Sequence, residues 1–279
     1  KVPNTSATAA SCGTDLNGAA VKNACDILRE RLKPVALELV AADVNRLKSA
    51  LKTSQSGLTS AATDLVFADN AVFHRAFPEI KIPFEKVVQS AYVQRIGLSP
   101  TGFYRTPEIH YDRAKGKGKP FHYFAVGAAV TEVEVDGYTG MSRILRTDIL
   151  HDAGDSINAG INLGQIEGGF VQGAGWLTCE ELVWNDQGEL LPHSPDTYKI
   201  PAVGDRPLEF NVQFLQNATQ PNTIHGSKAV VEPPLMLAIS VREAIRDAVA
   251  NFGKSGGQGA LASPATGEAV WRAVQLREK

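Results

Sequence analysis

Apolar residues recur at Val21, Ala24, Cys25, Leu28 and Leu32, the spacing of one face of a helix, and predict a helix from Ala19 to Leu32. Pro34 supplies the fixed φ of a first helical turn, so a second helical stretch is expected from there towards Lys48. Residues 49–83 read as an insertion, polar and weakly patterned over 49–70. A third helix is expected from Phe84 to Gln94, ended by the break at Gly97, Pro100 and Gly102. The run Asp112–Pro120 alternates lysine with glycine without the order of a phosphate-binding loop, and reads as a solvated, flexible basic loop.

From Tyr123 the period changes to two. Val126, Ala128, Val130, Val133 and Val135 alternate with smaller or charged residues, as in a half-exposed strand. Gly137–Gly140 carries turn chemistry and Ile144–Leu150 returns, which predicts a hairpin. A glycine-dense helix over 161–178 follows, then an alternating strand over Leu208–Phe214. Pro233-Pro234 opens the clearest helix, with Leu235, Ala238, Val241, Ile245 and Val249 on one face. The tail, about 252–279, is Gly/Ser-rich and flexible apart from a short helical segment from Gly267. This mixture points to an α+β or α/β class.

The chain has 279 residues, 43% hydrophobic and 21% charged, which is ordinary globular composition and enough to fold without a disulfide or metal staple. A net charge of −2 argues against nucleic-acid or membrane-surface partners. No apolar run approaches the roughly 20 residues that cross a bilayer. Cys12, Cys25 and Cys179 lack ligand spacing and are too few to hold an iron–sulfur cluster within this chain. Their sparse use fits a reducing compartment, hence a cytoplasmic location. Lys1-Val2-Pro3-Asn4-Thr5 has neither an initiator Met nor a signal-peptide core, and reads as mid-protein loop at the head of a C-terminal piece.

Three stretches carry candidate chemistry. Asn162–Gly175 holds five glycines, each costing about 1 kcal/mol in a helix relative to alanine. Positions 164 and 168, and 169 and 173, fall four apart and stack on helix faces, so either another backbone or a planar ligand could approach. Gln165 offers a donor and an acceptor to a heterocycle edge. In Ser227–Pro234, Glu232 precedes a proline, which predicts an extended backbone at the mouth of the following helix. There it is either a capping carboxylate or, if buried in a dry pocket, a general base poised near neutral pH. The small and hydroxylated run Thr8–Thr14 suits an anion or oxo group, or is a surface loop. The six histidines show no ligand spacing and read as ordinary surface or core residues.

Taken in order, Val2–Thr5 through Ser11, Thr101–Pro107, Arg146–Ile149, Gly164–Gly168, Tyr198–Pro201, Ser227–Val230 and Glu232–Pro234 resemble the C-terminal part of the molybdenum-binding subunit of xanthine dehydrogenases, in the xanthine oxidase family. The resemblance spans nearly the whole chain apart from residues 40–90. It implies an α+β fold, the C-terminal portion of a molybdopterin-binding domain with mixed sheets and packed helices. Glu232 matches the family's catalytic base, and Gln165, Ser11 and Thr14 match positions that contact the molybdopterin cofactor. Ala10 matches a position at the molybdenum centre, and Ala9 its neighbour at the cofactor and substrate pocket. The implied activity is oxidation of hypoxanthine to xanthine and of xanthine to urate with water-derived oxygen. Electrons would leave through [2Fe–2S] clusters and FAD on a partner chain or segment.

Tyr104–Pro107 and Glu232–Pro234 favour the purine branch over the aldehyde oxidases, which usually lack both runs. The implied partners are a purine, an N-terminal molybdenum-domain segment and an Fe–S/FAD subunit, assembled as a dimer of heteromers. The alternatives are an aldehyde or N-heterocycle hydroxylase, or a non-catalytic structural subunit. The family generally has glycine where this chain has Val231, and a β-branched residue resists the close approach or positive φ that glycine permits.

Overall fold

The structure, a computed structural model, describes residues 11–51, 64–253 and 260–278. The chain forms two compact units, Leu16–Arg105 and the remainder, Lys1–Asp15 with Thr106–Lys279.

In the Leu16–Arg105 unit, α1 (Ala19–Leu51) is one helix with Pro34 inside it, not the two stretches expected. A mid-helix proline costs about 3 kcal/mol in propensity. Here it lies on the exposed face, while Leu32, Val35, Ala36, Val40 and Val44 carry the buried stripe past it unbroken. Strands β1 (Leu65–Ala68), β2 (Ala71–His74) and β3 (Phe77–Pro83) form an antiparallel sheet in that order. Asp69 and Asn70 join β1 to β2 with φ of 51° and 56°, the left-handed pair of a tight hairpin turn. The stretch read as polar insertion therefore holds ordered strands, of which β1 and β2, at 4 residues each, are too short for a clear periodic signal. Val72 and Ile82 of the sheet, with Val87 and Ala91 of α2 (Phe84–Val93), close this core against α1.

In the other unit the basic run is a hairpin, not a structureless loop. His110–Asp112 (β4) pairs with Lys117–Lys119 (β5), and the Asp112 carboxylate accepts the Ala114 and Lys115 N–H groups across the turn. The predicted two-residue period becomes β6 (Gly127–Val135) and β7 (Ser142–His151), an antiparallel hairpin. Strand β8 (Glu209–Phe214) joins β7 in parallel, so the sheet is mixed, in the order β6-β7-β8. Helix α3 (Ala159–Thr178) begins where the Asn158 side chain accepts the Ile161 N–H at 3.0 Å.

The Pro233-Pro234 segment opens as a 3-10 turn, Pro233–Ala238, and becomes α-helical only at α4 (Ile239–Ala250). Helix α5 (Gly267–Glu278) is the expected C-terminal segment. Its buried Val270 and Val274 make it part of the core and not a loose tail. Ile149, Ile166, Phe170, Val241, Ile245 and Val249 fill the space between sheet and helices, with the Phe170 and Phe210 rings 5.4 Å apart. The class is α+β, as expected. Among the described residues no helix is long and apolar enough to cross a membrane.

Candidate functional site

Helix α3 is the platform, and its glycines divide by face. A Cβ on Gly169 would stand 2.9 Å from the Val231 carbonyl oxygen, and one on Gly173 would stand 2.2 Å from that of Leu235. These two glycines let the backbone of Val231–Leu235 lie directly on the helix. Gly164 and Gly168 are exposed, and a Cβ on either would meet nothing within 4 Å. The packing meaning of the glycine spacing is therefore realised at Gly169 and Gly173, while the backbone at Gly164 and Gly168 is bare. Gln165, partly buried, lies one turn before Gly169 on the same row, and so beside the segment carrying Glu232.

The segment Ser227–Glu232 is held at several points. Ser227 bridges Gly154, and the Lys228 N–H donates to the Ala153 carbonyl at 2.9 Å. The Lys228 ammonium pairs with the Asp152 carboxylate, each side chain 9% exposed, and also donates to the Phe124 carbonyl. The Ala229 N–H donates to the Tyr123 hydroxyl at 2.8 Å, and that hydroxyl donates to the Asp15 carboxylate. Finally the Glu232 N–H donates to Ser11 Oγ at 2.8 Å, with Ser11 in the left-handed region at φ 59°.

Glu232 departs from expectation in two respects. Its backbone is helical (φ −94°, ψ −36°) and not extended. The bias imposed by the following proline yields to the Ser11 hydrogen bond and to the contact of the adjoining carbonyl with Gly169. Glu232 is also exposed, not buried in a dry pocket of this chain. Val231 avoids the left-handed region that would strain a β-branched residue, and its side chain is 47% exposed. The close approach is made by its carbonyl, which any residue has.

Thr14 is exposed at the head of the π-helical turn Thr14–Gly18. Ala9 and Ala10 lie outside the described residues. Ser11, Gln165 and Glu232 thus come together around Gly169. Pattern reading missed Asp15, Tyr123 and Asp152, and Lys228 stood only inside a motif; none of the four carries a local signal of its own.

Burial and the Asp15 hydrogen bond push the Tyr123 phenol well above its ordinary range, and it remains a neutral donor. Burial likewise raises the Asp15 carboxyl, against the lowering effects of Tyr123 and His122. Asp15 Oδ1 is buried and has no hydrogen-bond partner among the described residues. A separate cavity of about 300 Å³ lies at the C-terminal end of α3, lined by Gly175, Thr178, Cys179, Lys199 and Asp205 among others. It contains none of the candidate residues.

Residues 1–207 match the molybdopterin cofactor-binding domain family, a match that ends before Glu232. The chain belongs to that family. It is 42% identical over 272 residues to a xanthine dehydrogenase/oxidase of Gallus gallus, covering 96% of this chain and 17% of the relative. It is also 42% identical over 249 residues to an aldehyde oxidase 2 of Macaca fascicularis, covering 89% and 16%. Overall identity does not separate the purine branch from the aldehyde branch. Among solved structures, quinoline 2-oxidoreductase from Pseudomonas putida 86 superposes with a TM-score of 0.70 at 25% identity, over 96% of this chain and 30% of that one. A Cu,Mo-CO dehydrogenase shares the fold at TM-score 0.69 and 18% identity, over 95% and 30%. The chain spans about a sixth of the length of the curated relatives it matches.

The residues present suit a molybdopterin group. The bare backbone at Gly164 and Gly168 admits a flat ring, the Gln165 amide can pair with its edge, and Asp15 Oδ1 is a buried polar atom without a hydrogen-bond partner among the described residues. Gln165, Ser11 and Thr14 are the residues that would hold it.

Proposed function

We propose that this chain is the C-terminal part of the molybdenum domain of a hydroxylase that oxidises hypoxanthine to xanthine and xanthine to urate. The observation that carries the reading is the seating of Glu232: its backbone is fixed by Ser11 Oγ, and the adjoining Val231 carbonyl rests on Gly169, one turn from Gln165. The reading is supported by the proximity of three residues to which the family resemblance gives roles in one site, drawn from three distant stretches.

When bound, the molybdenum centre supplies the two-electron oxidation. Glu232 takes the proton at a carboxylate oxygen as water-derived oxygen becomes a nucleophile. Gln165 orients the pterin through its amide, and Ser11 holds the base by its backbone. The desolvation that Glu232 needs comes, in this reading, from an N-terminal molybdenum-domain segment of the assembled protein. A partner chain or segment carrying [2Fe–2S] and FAD would take up the electrons, in what would be a cytoplasmic dimer of heteromers. The purine branch is favoured by the Tyr104–Pro107 and Glu232–Pro234 runs. The equal identity to an aldehyde oxidase keeps an aldehyde or N-heterocycle hydroxylase as the second reading, which a substrate panel on the assembled enzyme separates.

In the complete enzyme, Glu232→Ala should keep its molybdenum and lose turnover, whereas Gln165→Ala should lose molybdenum by elemental analysis. Near-normal urate formation by Glu232→Ala refutes the assignment of the base.

A further inference from the structure

The segment that carries Glu232 is tied by backbone amides to two side chains from far away in sequence. One is Ser11; the other is Tyr123. The Tyr123 hydroxyl is a relay point, accepting the Ala229 N–H at 2.8 Å on one side and donating to the Asp15 carboxylate on the other. Its ring is fixed as well, with the Lys228 ammonium 5.8 Å from the ring centroid and itself paired to Asp152. Asp15 immediately follows Thr14, and Ala229 lies three residues before Glu232. The Asp15–Tyr123–Ala229 chain therefore spans the same two strips of polypeptide that the Ser11–Glu232 bond spans, a second rung beside the first.

Resting on Glu232 as the base, we infer that Tyr123, anchored by Asp15, is a positioning residue that sets the placement of Glu232 relative to the cofactor-contacting strip Ser11–Thr14. Two rungs define a distance and an angle between these two strips, where the Ser11 bond alone defines only a distance. Glu232 is exposed and lies outside the main core, so these polar ties act together with the seating of Val231 on Gly169 to place it. Tyr123 touches neither substrate nor cofactor in this role.

The test uses the complete enzyme and four measurements on Tyr123→Phe. The Ala229 amide should exchange its hydrogen about fivefold faster, the change that loss of one hydrogen bond of roughly 1 kcal/mol corresponds to. Molybdenum content and KM should stay as they were. The kcat should fall by about 10²-fold, the scale of a 1 Å misplacement of a catalytic group. Combined with Glu232→Gln, Tyr123→Phe should cause no further loss, because a residue that acts through Glu232 has nothing left to act on.

A separate pair removes dependence on one variant. Asp15→Ala should reproduce the loss, and Asp15→Asn, whose amide oxygen still accepts the Tyr123 hydroxyl, should recover at least tenfold of it. Loss of molybdenum in Tyr123→Phe, an additive loss in the double variant, or no recovery in Asp15→Asn overturns the positioning role while leaving Glu232 as the base. Full turnover in Glu232→Gln overturns both.

Discussion

Gly168→Ala and Gly173→Ala place the same methyl group on the same helix, five residues apart, and should act in opposite directions. Each gains about 1 kcal/mol in helix propensity. At Gly168 nothing stands within 4 Å of the new Cβ, so the gain survives and the apo protein is stabilised by up to about 1 kcal/mol. At Gly173 the Cβ would lie 2.2 Å from the Leu235 carbonyl oxygen and 2.8 Å from the Ala238 Cβ. Real contacts essentially never fall below 3.0 Å, so the 3-10 turn must withdraw by about 0.8 Å. Pro234 and Ala238 of that turn are buried, which makes the withdrawal an overpacking penalty of about 1–3 kcal/mol and the net effect, after the propensity gain, a loss of up to about 2 kcal/mol. The displaced turn begins next to Glu232, so kcat should also fall, towards the 10²-fold that about 1 Å costs. Thermal midpoints of the full-length apo protein, with hydrogen exchange over residues 233–238, give the readout. If Gly173→Ala proves as stable as Gly168→Ala, and exchange over the turn is unchanged, the close backbone approach on α3 is wrong.

Two further variants probe the polar groups beneath the site. Lys228→Ala leaves the Asp152 carboxylate buried without its cation and should destabilise the protein by about 3–5 kcal/mol; a midpoint within a degree of wild type would mean the pair is solvated. His151 is 1% exposed, neither ring nitrogen has a hydrogen-bond partner among the described residues, and burial holds its pKa below the usual 6.5, the Lys228 charge adding to the fall and Asp152 opposing it. The unfolded chain therefore binds this proton first, and stability is lost as pH falls from about 6.5 towards the lower folded value. His151→Leu should flatten thermal stability between roughly pH 7 and pH 5; an unchanged acid slope would assign that loss to other groups.

The longer elements are legible in the sequence: the β6–β7 hairpin and β8 lie within two residues of where two-residue alternation puts them, and α3 within two residues of the glycine-dense stretch 161–178. What escaped was decided by tertiary context. Strands of three or four residues such as β1, β2 and β4 are shorter than a window in which period two can be recognised. Pro34 looks like a helix start because propensity is local, whereas the buried stripe on its other side is not. The site divides the same way. Gln165 and Glu232 stood out through neighbours in sequence, the glycines and the double proline. Asp15, Tyr123 and Asp152 matter because of groups more than seventy residues away, a distance that no local pattern encodes.

The parallel pairing of β7 with β8 has a consequence for how the chain acquires its shape. The β6–β7 hairpin closes through a tight turn and can form early, but β8 reaches its register only after a long excursion that includes α3. The Ser227–Glu232 segment follows β8 and leans on α3, the end of β7 and the Ser11–Asp15 strip at once. Its geometry is therefore a late event in folding, completed after the scaffold beneath it. Lesions in that scaffold should first surface as protein that is compact yet unable to place Glu232 against Ser11 and α3.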